Sequence, residues 1–548
     1  MEALEARLAN MESMLQQPSN TGQSRPPETQ ESSSSSSDGE TSLPSISSGL
    51  LFQQLSDQMA AARAKDCLRP LSRTIPSSLT FGKSELWLLQ RSLDETYAEL
   101  PLFNMPWFLD QVQWPDALGR PDAWWQAMLA SVVASAILSK AADGSFSDVA
   151  VYAWSIFRNA YALLPELILD GDGTGALQAV MALVMFMRQS ADTRTTSRLL
   201  SMAARMQPHI SSQTKDESVH QENETRVSWA IFVLDMDMAM NTGLPTVHSA
   251  PPTGNLATNS ENDSIFRLRF TLAQIQHLLL PHLATPDEPS LLSLQAALEH
   301  WHLSLPPVTS ESTLPLVLLH LTYHTTHNQI LWTLIQHLSA LHFSDPPTLS
   351  ALTHTYKTTI RTTARTILAL IPRIPISLLA LWPSLPHAVS ATIILLAVIC
   401  KEPTHPEARQ DITLLQSFVA FLNRAISRGC PLQKLRDGVS KFASVAQDAV
   451  DVAEKEAMPV NPALWPLSVA NGETGKSVSL LLTCEVKSPM GLAWALLGRE
   501  GVGDMQGAKR LCAIVDVESE GEFGAFVPEE MVPGRYGFRY AEQGTGGW

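Results

Sequence analysis

Cysteine is scarce in this chain of 548 residues: there are five, Cys67, Cys400, Cys430, Cys484 and Cys512, and no two lie closer than 28 positions apart. That spacing excludes a C-x-x-C zinc pattern, and an odd, scattered set points to reduced thiols in an intracellular protein. Runs of Lys or Arg are also missing. With 38 basic against 54 acidic residues the formal charge is -16, so the summed field repels nucleic acid and anionic membrane. The N-terminus is acidic and polar, without the basic and then apolar order of a secretory signal, and no secretion is expected. G-x-x-x-x-G-K-S/T, G-x-S-x-G and H-E-x-x-H are absent, as is any repeat of fixed period. Nothing in the chain argues positively for catalysis.

What is present is a hydrophobic content of 45%, enough to fill a sizeable core in two to four domains or one large helical one. Over residues 1–17, Met1, Leu4, Leu8, Met11 and Leu15 alternate in steps of three and four, the a/d seam of a short coiled coil, which Pro18 ends. Two heptads are marginal alone, so a frayed helix and a dimer seam both fit. Residues 18–49, with "ESSSSSSDGE", cannot bury enough apolar area to offset ordering entropy and read as a disordered Ser/Pro-rich linker, either an activation segment or a solvated spacer. From 50 to 456 the period is helical. Leu86, Leu89, Leu93, Tyr97 and Leu100 share one face after a capping Ser84, and Trp125, Met128, Leu129, Val132, Val133 and Ile137 continue the pattern. "RVSWAIFVLDMDMAM" is apolar nearly all round, as a buried helix must be. Between Trp301 and Tyr356 only Glu311 and Asp345 are charged, which suggests an inner layer. The fold class expected is all-α. The tail, 457–548, has β-like runs in "SVSLLLTCEV", "RLCAIVDV" and "GRYGFRYAE", read as a small sheet or a poorly ordered extension.

Four features invite a chemical reading. "LILDGDGTGALQ", residues 167–178, has the D-x-D-G-T letters of a phosphatase nucleophile loop, but the segment after it is helical and β-α alternation is missing. As a calcium loop, with Asp170, Asp172, Thr174 and Gly175, it fails at the twelfth place, Met181, where a bidentate Glu is needed. It reads as an inter-helix loop, with Thr174 or Asp172 as cap. His320, His324 and His327 share a helical face and could suit zinc, yet no local carboxylate is there to orient the rings. Histidines lining a helix junction are expected instead, with no metal or other cofactor. Asp235 and Asp237, two apart, face different ways, and Asp235 reads as a buried, hydrogen-bonded carboxylate. Lastly, no Asp, Glu, Lys or Arg occurs between Arg373 and Lys401, but Pro375, Pro383, Pro386 and His387 interrupt the stretch, leaving a buried helix rather than a membrane span.

The order Arg226, Trp229, Asp235, Gly243, Pro245 in "RVSWAIFVLDMDMAMNTGLP" resembles the middle homology region of fungal zinc-cluster transcription factors. "ALEHWHLSLPP" with Trp301 is similar to that family's Trp-to-Leu-Pro segment, "LHLTYHTTHNQIL" with Tyr323 and His324 to its Tyr-His helix, and "ALQAVMALVMFMRQ…AARM" to its earlier helix pair. The resemblance covers roughly residues 50–450, and "LEARLANMESML" resembles the coiled coil that follows the zinc cluster. The six-cysteine zinc module itself is missing, and Met1 stands in its place. The resemblance implies an all-helical regulatory domain of a nuclear transcriptional regulator, of the kind that controls a metabolic or secondary-metabolite pathway. It implies a homodimer or a heterodimer with another zinc-cluster protein, room for a small-molecule effector, and contact with DNA only indirectly. Two alternatives stay open: an all-helical enzyme using buried polar groups near Asp235 and His320, and an adaptor of a complete zinc-cluster factor.

Overall fold

A computed structural model of the protein describes residues 89–90, 93, 97–103, 105–113, 122–139, 146–169, 173–189, 193–210, 218–254, 256, 261–341, 346–430, 432–457, 474–497 and 504–515. The seam over 1–17, the 18–49 linker and "GRYGFRYAE" lie outside these residues. Among the described residues there is no β-strand. The first helices are α1 Met105–Gln113, α2 Ala123–Ser139, α3 Phe146–Ala162, α4 Leu164–Leu169, α5 Thr174–Met187 and α6 Thr193–Ile210. Long helices follow: α7 Ser218–Thr242, α8 Glu261–Ala284, α9 Glu288–His302, α10 Leu314–Leu341, α11 Pro346–Leu370, α12 Leu378–Lys401, α13 Ala408–Ser427 and α14 Gln433–Ala457. After them a helical stretch at 474–480 runs into the π-helical turn Leu481–Glu485, and α15 Pro489–Leu497 and α16 Met505–Ile514 complete the fold.

Local chemistry sets several of these boundaries. The Asp287 carboxylate accepts from the Ser290 amide at 3.1 Å to open α9, and the Asp504 carboxylate does the same for Gly507 at 2.8 Å to open α16. α13 is amphipathic, burying Ile412, Leu415, Phe418, Leu422 and Ala425 at steps of three and four. α5, buried from Thr174 to Met187 except half-buried Gly175, has no polar face because α2, α6 and α7 surround it. Gly175 lets α2 approach, since a Cβ there would lie 2.8 Å from the Trp124 ring. At roughly 1.5–3 kcal/mol per buried large aliphatic side chain, helices of this kind hold the fold far more through burial than through helix propensity.

α12 lies at the centre, against α2, α10, α11, α14 and α15. Ala380–Lys401 is long and apolar enough to cross a membrane, and nearly all of it is buried against protein. Pro383 and Pro386 do not interrupt it, contrary to the sequence reading: the helix continues through both. Both prolines lie past the first turn, so each removes an i→i−4 hydrogen bond, a cost that the burial of α12 against its neighbours offsets. A smaller apolar cluster, with Leu272, Leu279, Leu291, Leu298, Leu319 and Ile330, joins α8, α9 and α10.

Two β expectations are corrected. "SVSLLLTCEV" and "RLCAIVDV" are mainly helical at 474–485 and 505–514, and Val478, Leu481, Leu482, Leu511 and Cys512 enter the main core. Tyr97 and Leu100 are buried as expected, but the chain bends there rather than remaining helical. Around 167–178 the flanks are α4 and α5, so the parallel strand that a phosphatase loop needs is replaced by helix. The cap of α5 is Gly173 at φ 93° with no side-chain bond, whereas Thr174 is already inside the helix.

Candidate functional site

The residues singled out by sequence order meet at α7 and the turn that follows it. Arg226 donates to Asp263 at 2.6 Å and to Glu222 at 2.7 and 3.1 Å, fastening α7 to the start of α8. Trp229 stacks on Phe270 of α8 with ring centroids 4.0 Å apart and planes 4° from parallel. α7 ends at Gly243, whose φ of 72° is a left-handed value that glycine adopts without strain. Pro245 follows in the turn. Asp235, 5% exposed, then accepts through Oδ2 from the backbone amides of Val247 at 3.0 Å and His248 at 3.1 Å, and faces His248 Nδ1 at 2.8 Å. His248 Nε2 reaches Gln207 of α6 at 3.2 Å. Asp235 therefore folds the chain back over its own helix and ties that turn to α6. Asp237 points elsewhere and pairs with Arg269 of α8, so the two carboxylates share no ligand.

Trp301, Tyr323 and His324 lie at the junction of α9 and α10. Tyr323 stacks on His302 at 4.1 Å and 10°, and the Trp301 indole donates to Thr271 of α8 at 2.8 Å. His302, His320 and His324 stand 6.0 to 6.4 Å apart by ring centroids. His320 Nε2 is 2.8 Å from the Pro306 carbonyl, and Glu299 lies 3.7 Å from His327. Burial lowers the pKa of His302, His320 and His327; burial and neighbouring histidines push His324 down to about 3. The rings are therefore neutral near pH 7. Among the described residues no three His, Cys, Asp or Glu side chains are placed to hold a metal ion. His302 and Glu299 joined this group unseen by sequence reasoning, since both come from the neighbouring helix.

A third polar group, also invisible in sequence, lies inside the helical body. Arg188 donates to both Glu99 oxygens, at 2.7 and 3.1 Å, and Thr325 meets His387 Nδ1 at 2.8 Å. Gln276 joins Arg269 at 3.4 Å and Thr326 at 2.9 Å. Burial and the Arg269 charge push His387 down to about 3. Glu99, Arg188, Asp237 and His387 line a cavity of about 60 Å³ together with Trp382 and Trp494. Each carboxylate there is ion-paired, and no nucleophile stands beside a free base. Asp235 and His320, the groups an enzyme would need together, are bonded at separate helix junctions.

Two curated relatives are similar to this chain. The ABC-transporter-regulating transcription factor of Aspergillus oryzae is 25% identical over 433 residues, covering 68% of this chain and 48% of the relative. The ABC-transporter-regulating transcription factor of Aspergillus fumigatus is 24% identical over 427 residues, covering 67% and 47%. The chain thus spans about half the length of the curated relatives it matches. No family model matches. The likeness supports homology to transcription factors of fungi, at low identity and over part of the chain, and is consistent with a non-enzymatic regulator.

Proposed function

We propose that this chain is the helical regulatory part of a transcriptional regulator of the fungal zinc-cluster type, acting in the nucleus and reaching DNA indirectly through a zinc-cluster module or partner. The observation that carries the reading is the assembly of Arg226, Trp229, Asp235, Gly243 and Pro245 into one helix-and-return-turn unit, within a helical body whose likeness to transcription factors covers 68% of the chain. Self-association through Met1, Leu4, Leu8, Met11 and Leu15, as a homodimer or with another zinc-cluster protein, belongs to the same proposal. Because the relatives regulate ABC transporters, genes for such transporters are the first targets to examine; a metabolic or secondary-metabolite pathway is the alternative.

Charge supports the indirect route. A net charge of -16 without basic runs supplies neither the cations that neutralise phosphates nor groups suited to base edges. In gel-shift titrations at low and moderate salt, the purified chain alone is expected to leave promoter fragments unretarded. A complete zinc-cluster relative added to it should restore a shifted complex containing both proteins. Sequence-dependent retention by the chain alone at moderate salt would overturn the indirect route. Unchanged transcript levels of every transporter and metabolic gene in a deletion strain would overturn the regulatory reading itself.

A further inference from the structure

α9 touches the rest of the body mainly through α8 and α10. Its buried side chains Leu291, Leu298 and Trp301, with Leu305 just beyond it, belong to the smaller apolar cluster and none to the main core. α9 can therefore part from α10 while the main core stays closed, a sub-global opening that lies below complete unfolding in free energy.

Imidazoles close the α9–α10 joint. His302 of α9 stacks on Tyr323 and stands 6.0 and 6.2 Å from the rings of His320 and His324, and His327 stands 6.0 Å from Tyr323. This arrangement suits neutral rings. A protonated imidazole has two N–H donors and needs two acceptors, yet His324 Nδ1 and both His327 nitrogens are buried with no hydrogen-bond partner. Charged rings of His302, His320 and His324 would also face one another across 6.0 to 6.4 Å.

Little in the surroundings would offset that charge. Among the described residues, the carboxylate that acts on these rings is Glu299, 52% exposed and 3.7 Å from His327. On α8, Arg269 pairs with Asp237 and His277 faces Phe232. On α11, Lys357 lies 3.9 Å from Glu402, and Arg361 and Arg365 hold Asp411. Burial pushes up Tyr356 of α11 as it does Tyr323, so both phenols stay neutral. On α12, His387 bonds Thr325. Arg373 grips the turn after α9 through the Thr309 carbonyl at 2.8 Å and adds positive charge. His320 tolerates a second proton best, since its Nε2 already meets the Pro306 carbonyl at 2.8 Å.

We propose that the α9–α10 joint is an acid-operated latch: when His302, His324 and His327 take up protons, α9 and the turn at 303–313 swing away from α10, with the main core still folded. The direction follows from the environment of the rings. Burial lowers the pKa of all three while the latch is shut, that of His324 to about 3, and hydration on opening returns them toward about 6.5. The shut form is therefore favoured above about pH 6.5, and opening gains as pH falls below it. Opening uncovers Leu316, Leu319 and Tyr323, the apolar side chains that α10 gives to the smaller cluster near its start. Any part for the latch in regulation rests on the transcriptional reading above; the opening itself does not.

Amide hydrogen exchange of the full chain, read by mass spectrometry at pH 7.5 and 5.5 and corrected for the pH dependence of the intrinsic rate, tests this. α9 amides are expected to exchange well ahead of those in α5 and α12 at both values. Their opening constant should rise roughly tenfold between the two for each ring that titrates. His302→Phe with His324→Phe keeps the ring stack and removes two titrating groups, so it should cut that rise by about tenfold or more. His302→Phe alone, at a half-buried position, reads the same effect in smaller measure if the double variant fails to fold. No α9 rise in the unaltered chain, α9 exchanging in step with α12, or a rise undiminished by the phenylalanine substitutions would overturn the latch. Each of those results leaves the transcriptional reading standing, since that depends on the gel-shift and transcript measurements alone.

Discussion

A single carboxylate oxygen fixes the turn after α7. Asp235 Oδ2 receives two backbone amides and a histidine ring, in a position 5% exposed, so its removal takes the shared partner from three polar groups at once. Asp235→Ala is expected to cost about 2–4 kcal/mol, and Asp235→Asn less, because an amide oxygen still accepts. Denaturant midpoints measure the loss, and protease cleavage within 243–254 should rise in parallel. An unchanged midpoint for Asp235→Ala would show that the turn is held by other contacts. The chemistry of this residue was readable in the sequence, since an acid within an apolar helix must be paired. Its partners were not, because Val247 and His248 lie beyond the helix end and are brought back only by the turn at Gly243. The same limit hid Arg269 beside Asp237 and Glu99 beside Arg188, pairs 32 and 89 positions apart.

At the scale of elements, legibility followed length. α2, α7 and α10 are long enough for apolar period to declare them, and in the stretch of few charges between Trp301 and Tyr356 the part 315–334 is mostly buried while 302–313 is mostly exposed. The stretches at 474–485 and 505–514 are short and contain β-branched residues, so their local preference was ambiguous. Tertiary contact decides there: Trp332 and Gln336 of α10 both donate to the Val486 carbonyl, at 3.1 and 2.6 Å, docking this segment on the body. The N-terminal seam is the reverse case, a pattern legible in sequence whose value depends on a partner. Leu4→Asp with Leu8→Asp should lower any dimer population seen by sedimentation, since charges at a and d positions cannot be buried across a seam. A dimer of undiminished population would place self-association in the helical body instead.

Across the whole molecule, two histidine sites bias stability in the same direction. His324 at the α9–α10 junction and His387 in the interior both have pKa values pushed down to about 3, mainly by burial. His302, His320 and His327 are lowered as well. A lowered folded-state value means that the unfolded chain takes up protons first as pH falls below about 6.5, while the native rings stay neutral. The stability contributed by neutral burial is therefore fully present above about pH 6.5 and is lost as pH falls from there toward 3. Each fully engaged histidine contributes a slope of up to about 1.4 kcal/mol per pH unit, so His324 and His387 together dominate between pH 6 and 4. Glu99 acts differently: although burial opposes it, the Arg188 guanidinium holds its carboxyl below the usual carboxylate range, so it stays ionised until lower pH. Denaturant midpoints measured from pH 7.5 down to 4.5 should fall progressively, starting near 6.5. His324→Gln and His387→Gln, which remove the titrating group while keeping a polar side chain, should each flatten that fall even if they lower the midpoint at pH 7.5. A profile that is flat down to pH 5 in the unaltered chain, or equally steep in both variants, would show that these rings are hydrated and titrate normally in the folded protein.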